Sequence, residues 1–258
     1  MRWSIQTFFR WLWPETGRWS AVVLLALTVS VVATPVVAET FILAPGDDVI
    51  GALATIPSVY EDTLPDLGRR YGVGYEEMVR ANPDVDVWLP GDGTEILLPT
   101  QYVLPRAPRV GIVVNLAEYR LYFFSTRNGI MEVSTFPISI GRMDWSTPLG
   151  RAAIVAKVRN PAWYPPASVR REHEAEGDPL PKVVPPGPDN PLGDYAMRLS
   201  VPGYLIHGTN KPDGVGMRVS HGCIRMYPED IASLFPRVAL ETPVELVNQP
   251  YKIGWSGN

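Results

Sequence analysis

Cysteine and histidine are the scarce residues of this chain, with one Cys and three His in 258 positions. A lone Cys excludes an internal disulfide. No Cys stands directly after the N-terminal apolar run, so the chain cannot be a lipoprotein acylated there. An excess of basic charge is also missing. The formal net charge is −4, which argues against nucleic acid as the main partner, because phosphate contacts need a basic face. Charged residues make up only 19% against 46% hydrophobic, a globular balance and not a disordered one. Internal repeats are absent too. What the chain has in quantity is Pro, 27, and Gly, 22, which predicts tight turns and short strands with few long helices.

The N-terminus reads as an export signal. Arg2, Arg10 and Arg18 form a positive segment, and no Lys or Arg follows until Arg69. The run Trp19 to Val37 is apolar, and Val36-Val37-Ala38 offers small residues for cleavage after Ala38. The rival reading is an uncleaved membrane anchor, since the run is nearly long enough to span a bilayer. Cleavage removes three Arg and one Glu, taking the net charge from −4 to −6. Either way the remainder is expected in the periplasm.

At this length two modules are expected. Residues 39–57 read as a lead-in, and 58–100 as a βααβ module. Asp62 or Thr63 caps a helix with Leu64, Leu67 and Tyr71 at helical spacing, Gly72 ends it, a second helix starts near Tyr75, and Glu95 to Leu98 is a strand. Residues 101–108, QYVLPRAP, read as a Pro-bearing linker. Residues 109–248 form a mainly β domain, with strands at 110–114, 120–124, 133–140, 152–158, 195–199, 204–206 and 244–247. Asn128-Gly129 predicts a hairpin turn. Pro161 to Asn190 reads as a long irregular loop or lid, Pro228 to Phe235 as one short helix, and 249–258 as a tail.

Chemistry concentrates in two segments, Ile206-His207-Gly208-Thr209-Asn210 and Ser220-His221-Gly222-Cys223-Ile224-Arg225-Met226. A thiol becomes a good nucleophile when a nearby imidazole takes its proton. The intervening KPDGVGM can fold back to bring His207 to Cys223. Gly222 permits close backbone approach, and the Gly222 and Cys223 amides are candidate oxyanion donors. Two plainer readings stand beside this one. A buried Cys is often an inert small hydrophobe. A zinc site of His207, His221 and Cys223 is chemically sensible, but no carboxylate is evident nearby. His173, in RREHEAEG, is expected at the surface without a role.

The segment Ser220 to Arg225, with His207-Gly208 upstream, resembles the signature of the YkuD-type L,D-transpeptidase domain. Thr147-Pro148-Leu149-Gly150 and Gly187-Pro188-Asp189-Asn190-Pro191-Leu192-Gly193 resemble that family too. Asp62-Thr63-Leu64, Arg70-Tyr71-Gly72-Val73, Ala81-Asn82-Pro83 and Gly93 to Pro99 resemble a LysM module, with Glu61 where that family usually has Gly. The module order is similar to that of the enterobacterial periplasmic branch. The resemblance implies a mixed β-sandwich, Cys223 as nucleophile, and His207 as proton acceptor and donor. It further implies His221, Ser220 and Gly222 as supports, Arg225 as a partner for a substrate carboxylate, and no metal or organic cofactor. The implied partner is peptidoglycan, with a diaminopimelate amine or an outer-membrane lipoprotein lysine as acceptor. Hydrolysis of the same bonds by a carboxypeptidase or endopeptidase is the first alternative, and a non-catalytic wall-binding protein the second. The small module either anchors the enzyme to glycan through its linker or packs over the cleft and shapes it.

Overall fold

The computed structural model describes residues 39–142, 145 and 147–256. The export segment read over 1–38 lies outside these residues. Among the described residues no helix is long and apolar enough to cross a membrane.

The first three strands are β1 (Thr40–Ile42), β2 (Val49–Gly51) and β3 (Ala54–Pro57). Helices α1 (Leu64–Arg70) and α2 (Tyr75–Ala81) follow, then β4 (Glu95–Leu98). β3 and β4 pair antiparallel from Ala54–Leu98 to Pro57–Glu95, so the two helices lie between two strands, and the first strand precedes residue 58. Thr63 caps α1 by accepting from the Asp66 amide at 3.1 Å. Glu77 reaches back to the Gly74 amide at 2.8 Å and caps α2. Leu64, Leu67, Val73, Met78, Ile96 and Leu98 form a separate small core.

The lead-in and the linker are structured. Residues 101–108 begin with β5 (Gln101–Val103), paired antiparallel with β2. Tyr102 and Leu104 are buried with Leu43 and Ile50 against Val113, Tyr122, Phe124 and Val133. The expected linker is thus packing material: its apolar alternation buries against the outer face of the main sheet. The tail joins this layer. Gln249 accepts from the Arg106 amide at 2.8 Å, and the Asp48 amide donates to the Trp255 carbonyl at 2.7 Å.

The main sheet uses β6 (Gly111–Asn115), β7 (Arg120–Arg127), β8 (Ile130–Gly141), β9 (Gly150–Arg159), β10 (Tyr195–Leu199), β11 (Leu205–His207), β12 (Arg218–Ser220), β13 (Ile224–Met226) and β14 (Pro243–Val247). Asn128 and Gly129, at φ 53 and 79, make the tight β7–β8 turn. The pairing runs β8-β13-β11-β10-β9-β14-β6-β7 and returns to β8, with β1 and β12 also attached to β8. β8 pairs with β7 over Ile130–Pro137 and with β13 over Ile138–Ser139. β9 divides likewise between β14 and β10. These two long strands turn the corners of a mixed, mainly antiparallel sheet that closes over one core. That core includes Ile112, Val114, Phe136, Ile138, Ile154, Met197, Ile206, Ile224 and Leu246. Two more helices complete the domain, α3 (Ala167–Ala175) and α4 (Pro228–Leu234).

Candidate active site

β11 and β13 run parallel, with Ile206 opposite Ile224 and His207 opposite Arg225. Side chains alternate along a strand. Ile206 and Ile224 enter the core, so Leu205, His207, Cys223 and Arg225 emerge together on the other face. They line a cavity of about 930 Å³ whose floor continues through Ala196 and Arg198 of β10. The two segments singled out in the sequence therefore meet by strand pairing. Residues 208–217, which include KPDGVGM, form the crossover between them.

The turn before β13 is locked by side chains. Ser220, buried, donates to the Cys223 carbonyl at 2.5 Å and accepts from the Gly222 amide at 3.2 Å. Gly222 sits at φ +101, and a Cβ there would meet the Tyr204 ring at 3.0 Å. Thr147 donates to the Gly222 carbonyl at 2.8 Å and accepts from the Gly141 amide at 3.2 Å. The Gly222 amide, a candidate oxyanion donor from sequence, donates here to the Ser220 hydroxyl.

His207 is almost fully buried. Its Nδ1 lies 2.6 Å from the Gly208 carbonyl, which can only accept, so Nδ1 carries the proton and Nε2 the lone pair. Burial, and then the Arg225 charge, push its pKa down to about 3, against the pull of the Gly208 and Leu192 carbonyls. The Cys223 sulfur lies against the start of β11, 3.7 Å from the Gly203 carbonyl and facing the Leu205 amide. Burial raises its pKa, opposed by the Leu205 amide and Arg225. Both shifts favour the uncharged forms, imidazole at His207 and thiol at Cys223. Burial also lowers the pKa of Arg225, which the Cys223 sulfur opposes.

The long loop over Pro161 to Asn190 contains a helix that the sequence does not announce. α3 is charged and short, and its one buried apolar residue, Val169, gives no helical stripe. Trp163 and Val184 bridge the two arms of the loop. Asn190, fully buried, clamps the base: its amide donates to the carbonyls of Pro161, Val184 and Pro185, and it accepts from the Leu192 amide. Val169 and His173 reach the cavity wall. His173, expected at the surface, is half-buried, and its ring centroid lies 6.5 Å from that of His221.

His221 faces this lid. Its Nε2 is 2.9 Å from Glu172 Oε2 on α3, and Arg142 pairs with the other Glu172 oxygen. Trp145 packs edge-on against the imidazole, centroids 5.3 Å apart. A carboxylate does stand beside the His/Cys set, contrary to the expectation from sequence, because the lid brings it from about fifty positions upstream. Still, no group of three or more His, Cys, Asp or Glu is arranged to hold a metal among the described residues. Glu172, Arg142 and Thr147 went unassigned from sequence. Thr147, Glu172 and Asn190 stood in segments already set apart, and Arg142 did not.

A family model for the YkuD L,D-transpeptidase catalytic domain matches residues 109–246. The chain is 40% identical over 257 residues to the probable L,D-transpeptidase YcfS of Escherichia coli K12, covering 97% of this chain and 77% of that protein. It is 43% identical over 210 residues to the probable L,D-transpeptidase ErfK/SrfK of Salmonella typhimurium LT2, covering 80% and 67%. To the probable L,D-transpeptidase YbiS of Escherichia coli K12 it is 40% identical over 233 residues, covering 90% and 74%.

Proposed function

The chain belongs to the YkuD family of L,D-transpeptidases, and from that premise we propose that Cys223 is the nucleophile toward peptidoglycan stem peptides, with His207 as its proton carrier. The observation that carries this reading is the emergence of His207, Cys223 and Arg225 from paired strands into one cavity. His207 Nε2 takes the thiol proton as sulfur attacks the carbonyl at the L-centre before the terminal D-alanine of a tetrapeptide. The C–N bond breaks, the proton passes from His207 to the leaving amine, and a thioester remains on Cys223. An acceptor amine then attacks, its proton returns through His207 to the departing sulfur, and an amide forms. A thioester suits this exchange because its weaker resonance leaves the carbonyl open to amines. Arg225 faces the same space and suits a substrate carboxylate. Ser220, Gly222 and His221 hold the turn and the lid.

The βααβ unit is read as a LysM module binding wall glycan. Val59, Tyr60, Trp88 and Leu89 are exposed on two loops tied together by Ser58, whose hydroxyl donates to the Gly91 carbonyl. Exposed aromatic faces of this kind stack on sugar rings. Export to the periplasm, by a cleaved signal or an anchor, completes the reading, with a diaminopimelate amine or a lipoprotein lysine as acceptor.

The test is product analysis on purified tetrapeptide muropeptides, with and without an amine acceptor. Wild type should release D-alanine and join donor to acceptor, and Cys223→Ala should do neither. Tripeptide alone, whatever the acceptor, would make the enzyme a hydrolase, and product from Cys223→Ala would remove the cysteine from the mechanism.

A further inference from the structure

Between β11, which ends at His207, and β12, which ends at Ser220, the chain crosses over through residues 208–217. This crossover has two supports. On one side it is held by β8: Gly216 donates to the Ile138 carbonyl, Ile140 donates to the Met217 carbonyl, and Ser139 donates to the Gly214 carbonyl. On the other side it is held by the βααβ unit. The Tyr75 amide donates to the Val215 carbonyl at 3.1 Å and the Glu76 amide to the Gly216 carbonyl at 3.4 Å. The approach is so close that it requires glycine on both segments. A Cβ on Gly216, at φ +92, would lie 2.2 Å from the Tyr75 nitrogen, and a Cβ on Gly74 would lie 2.9 Å from the Gly216 Cα.

The start of α2 is itself fixed to the catalytic sheet. Glu77 accepts from Arg120, the first residue of β7, at 2.8 and 2.6 Å, and its Oε2 also accepts from the Gly74 amide. Arg120 is fully buried. It donates further to Thr135 Oγ1 and to the Gly72 carbonyl, and stacks 3.9 Å from the Tyr102 ring centroid. A second pair, Arg69 with Glu229, joins α1 to α4.

We infer that the βααβ unit is a positioning element for the catalytic centre: through Glu77 and the Gly74–Glu76 backbone it holds the crossover that sets His207 and the Ser220–Cys223 turn relative to each other. The inference rests on the reading of Cys223 and His207 given above. Glu77 is a positioning residue and touches no substrate. A unit that served only as a sugar anchor would need neither the paired glycines nor a buried arginine beneath it.

The experiment uses the full chain carrying Glu77→Gln, with Gly216→Ala as a harsher companion and Ile154→Val, in the main core, as a control for lost stability. Amide hydrogen exchange reads the crossover, and intact-mass kinetics of Cys223 acylation by a carbapenem reads the site. In Glu77→Gln, exchange over 211–217 should quicken on the order of tenfold. The maximal acylation rate should fall by a similar factor with the half-saturating concentration unchanged. Ile154→Val should lose melting temperature without either effect. Unchanged exchange in Glu77→Gln overturns the inference, and so does faster exchange with an unchanged maximal rate. A wild-type chain that forms no adduct at Cys223 sinks the catalytic reading instead, and the exchange comparison still decides whether the unit holds the crossover.

Discussion

The single cysteine and two of the three histidines were legible because scarcity and glycine spacing set them apart. Their protonation was not, because it depends on burial that a sequence does not display. His207 is held neutral to about pH 3, whereas an unfolded chain takes up a proton near 6.5. Stability should therefore be lost as pH falls below 6.5. Asp230 on α4 contributes the opposite slope. Burial, then the neighbouring Glu229, lift its carboxyl to about 7 from 3.8. Between those values the folded protein keeps a proton that the unfolded chain has released, so stability is lost as pH rises through this window. Asp230→Asn should match wild type near pH 4 and exceed it at pH 8 by a few kcal/mol, because each tenfold difference in proton affinity between the folded and unfolded chain is worth roughly 1.4 kcal/mol. Melting temperature across pH tests this, and a difference that does not vary with pH would refute it.

Among the elements, those with a strong local signal were read close to their true bounds: α2, β4, β10 and the β7–β8 hairpin each carry a periodic stripe or a defined turn. β11 was read one residue early, at 204–206, whereas the three-residue strands β12 and β13 were invisible as strands, since their pairing is set by partners far away in sequence. α3 was hidden by charge, and the charge is what gives it a task. Glu172 latches α3 to Arg142 and to His221, which lines the cavity. Arg142 and His221 hold the Glu172 carboxyl below its usual range, with Arg142 the stronger influence. Exposed ion pairs of this kind contribute little to global stability. Glu172→Gln should therefore leave the melting temperature nearly unchanged. It should raise hydrogen exchange over α3 and slow acylation several-fold. A variant with wild-type exchange over 167–175 would show that the lid is held by Asn190 and packing alone.

For the whole molecule, the sequence left two arrangements open, and the packing matches neither as stated: the small unit is seated on the large one at the crossover, β7 and α4, but none of its residues lines the cavity. Nothing in the run around Arg120 marks it as a junction, because it opens a strand of otherwise ordinary pattern. Its partners arrive from Gly72, Glu77, Tyr102 and Thr135, which share no local motif. Removing one member of a buried pair leaves the other charge uncompensated. Arg120→Ala and Glu77→Ala should each cost about 3–5 kcal/mol, and the double variant much less than their sum. Urea unfolding of the three variants supplies the coupling, and strict additivity would mean that the pair does not act as one junction. Deleting 58–100 should accordingly harm the rate on a soluble muropeptide as well as binding to sacculi.

The closed course of the main sheet bears on how the protein behaves in a crowd. A ladder that returns to β8 has no long free margin onto which a neighbouring chain could add a strand. Among the described residues, the strands attached at its side are β1 and β12, and the two small ribbons lie apart from it. None of those strands exceeds four residues. Growth of fibrils or ordered clumps by strand addition thus has little to start from, and a concentrated solution should remain free of them for as long as the ring of strands stays shut.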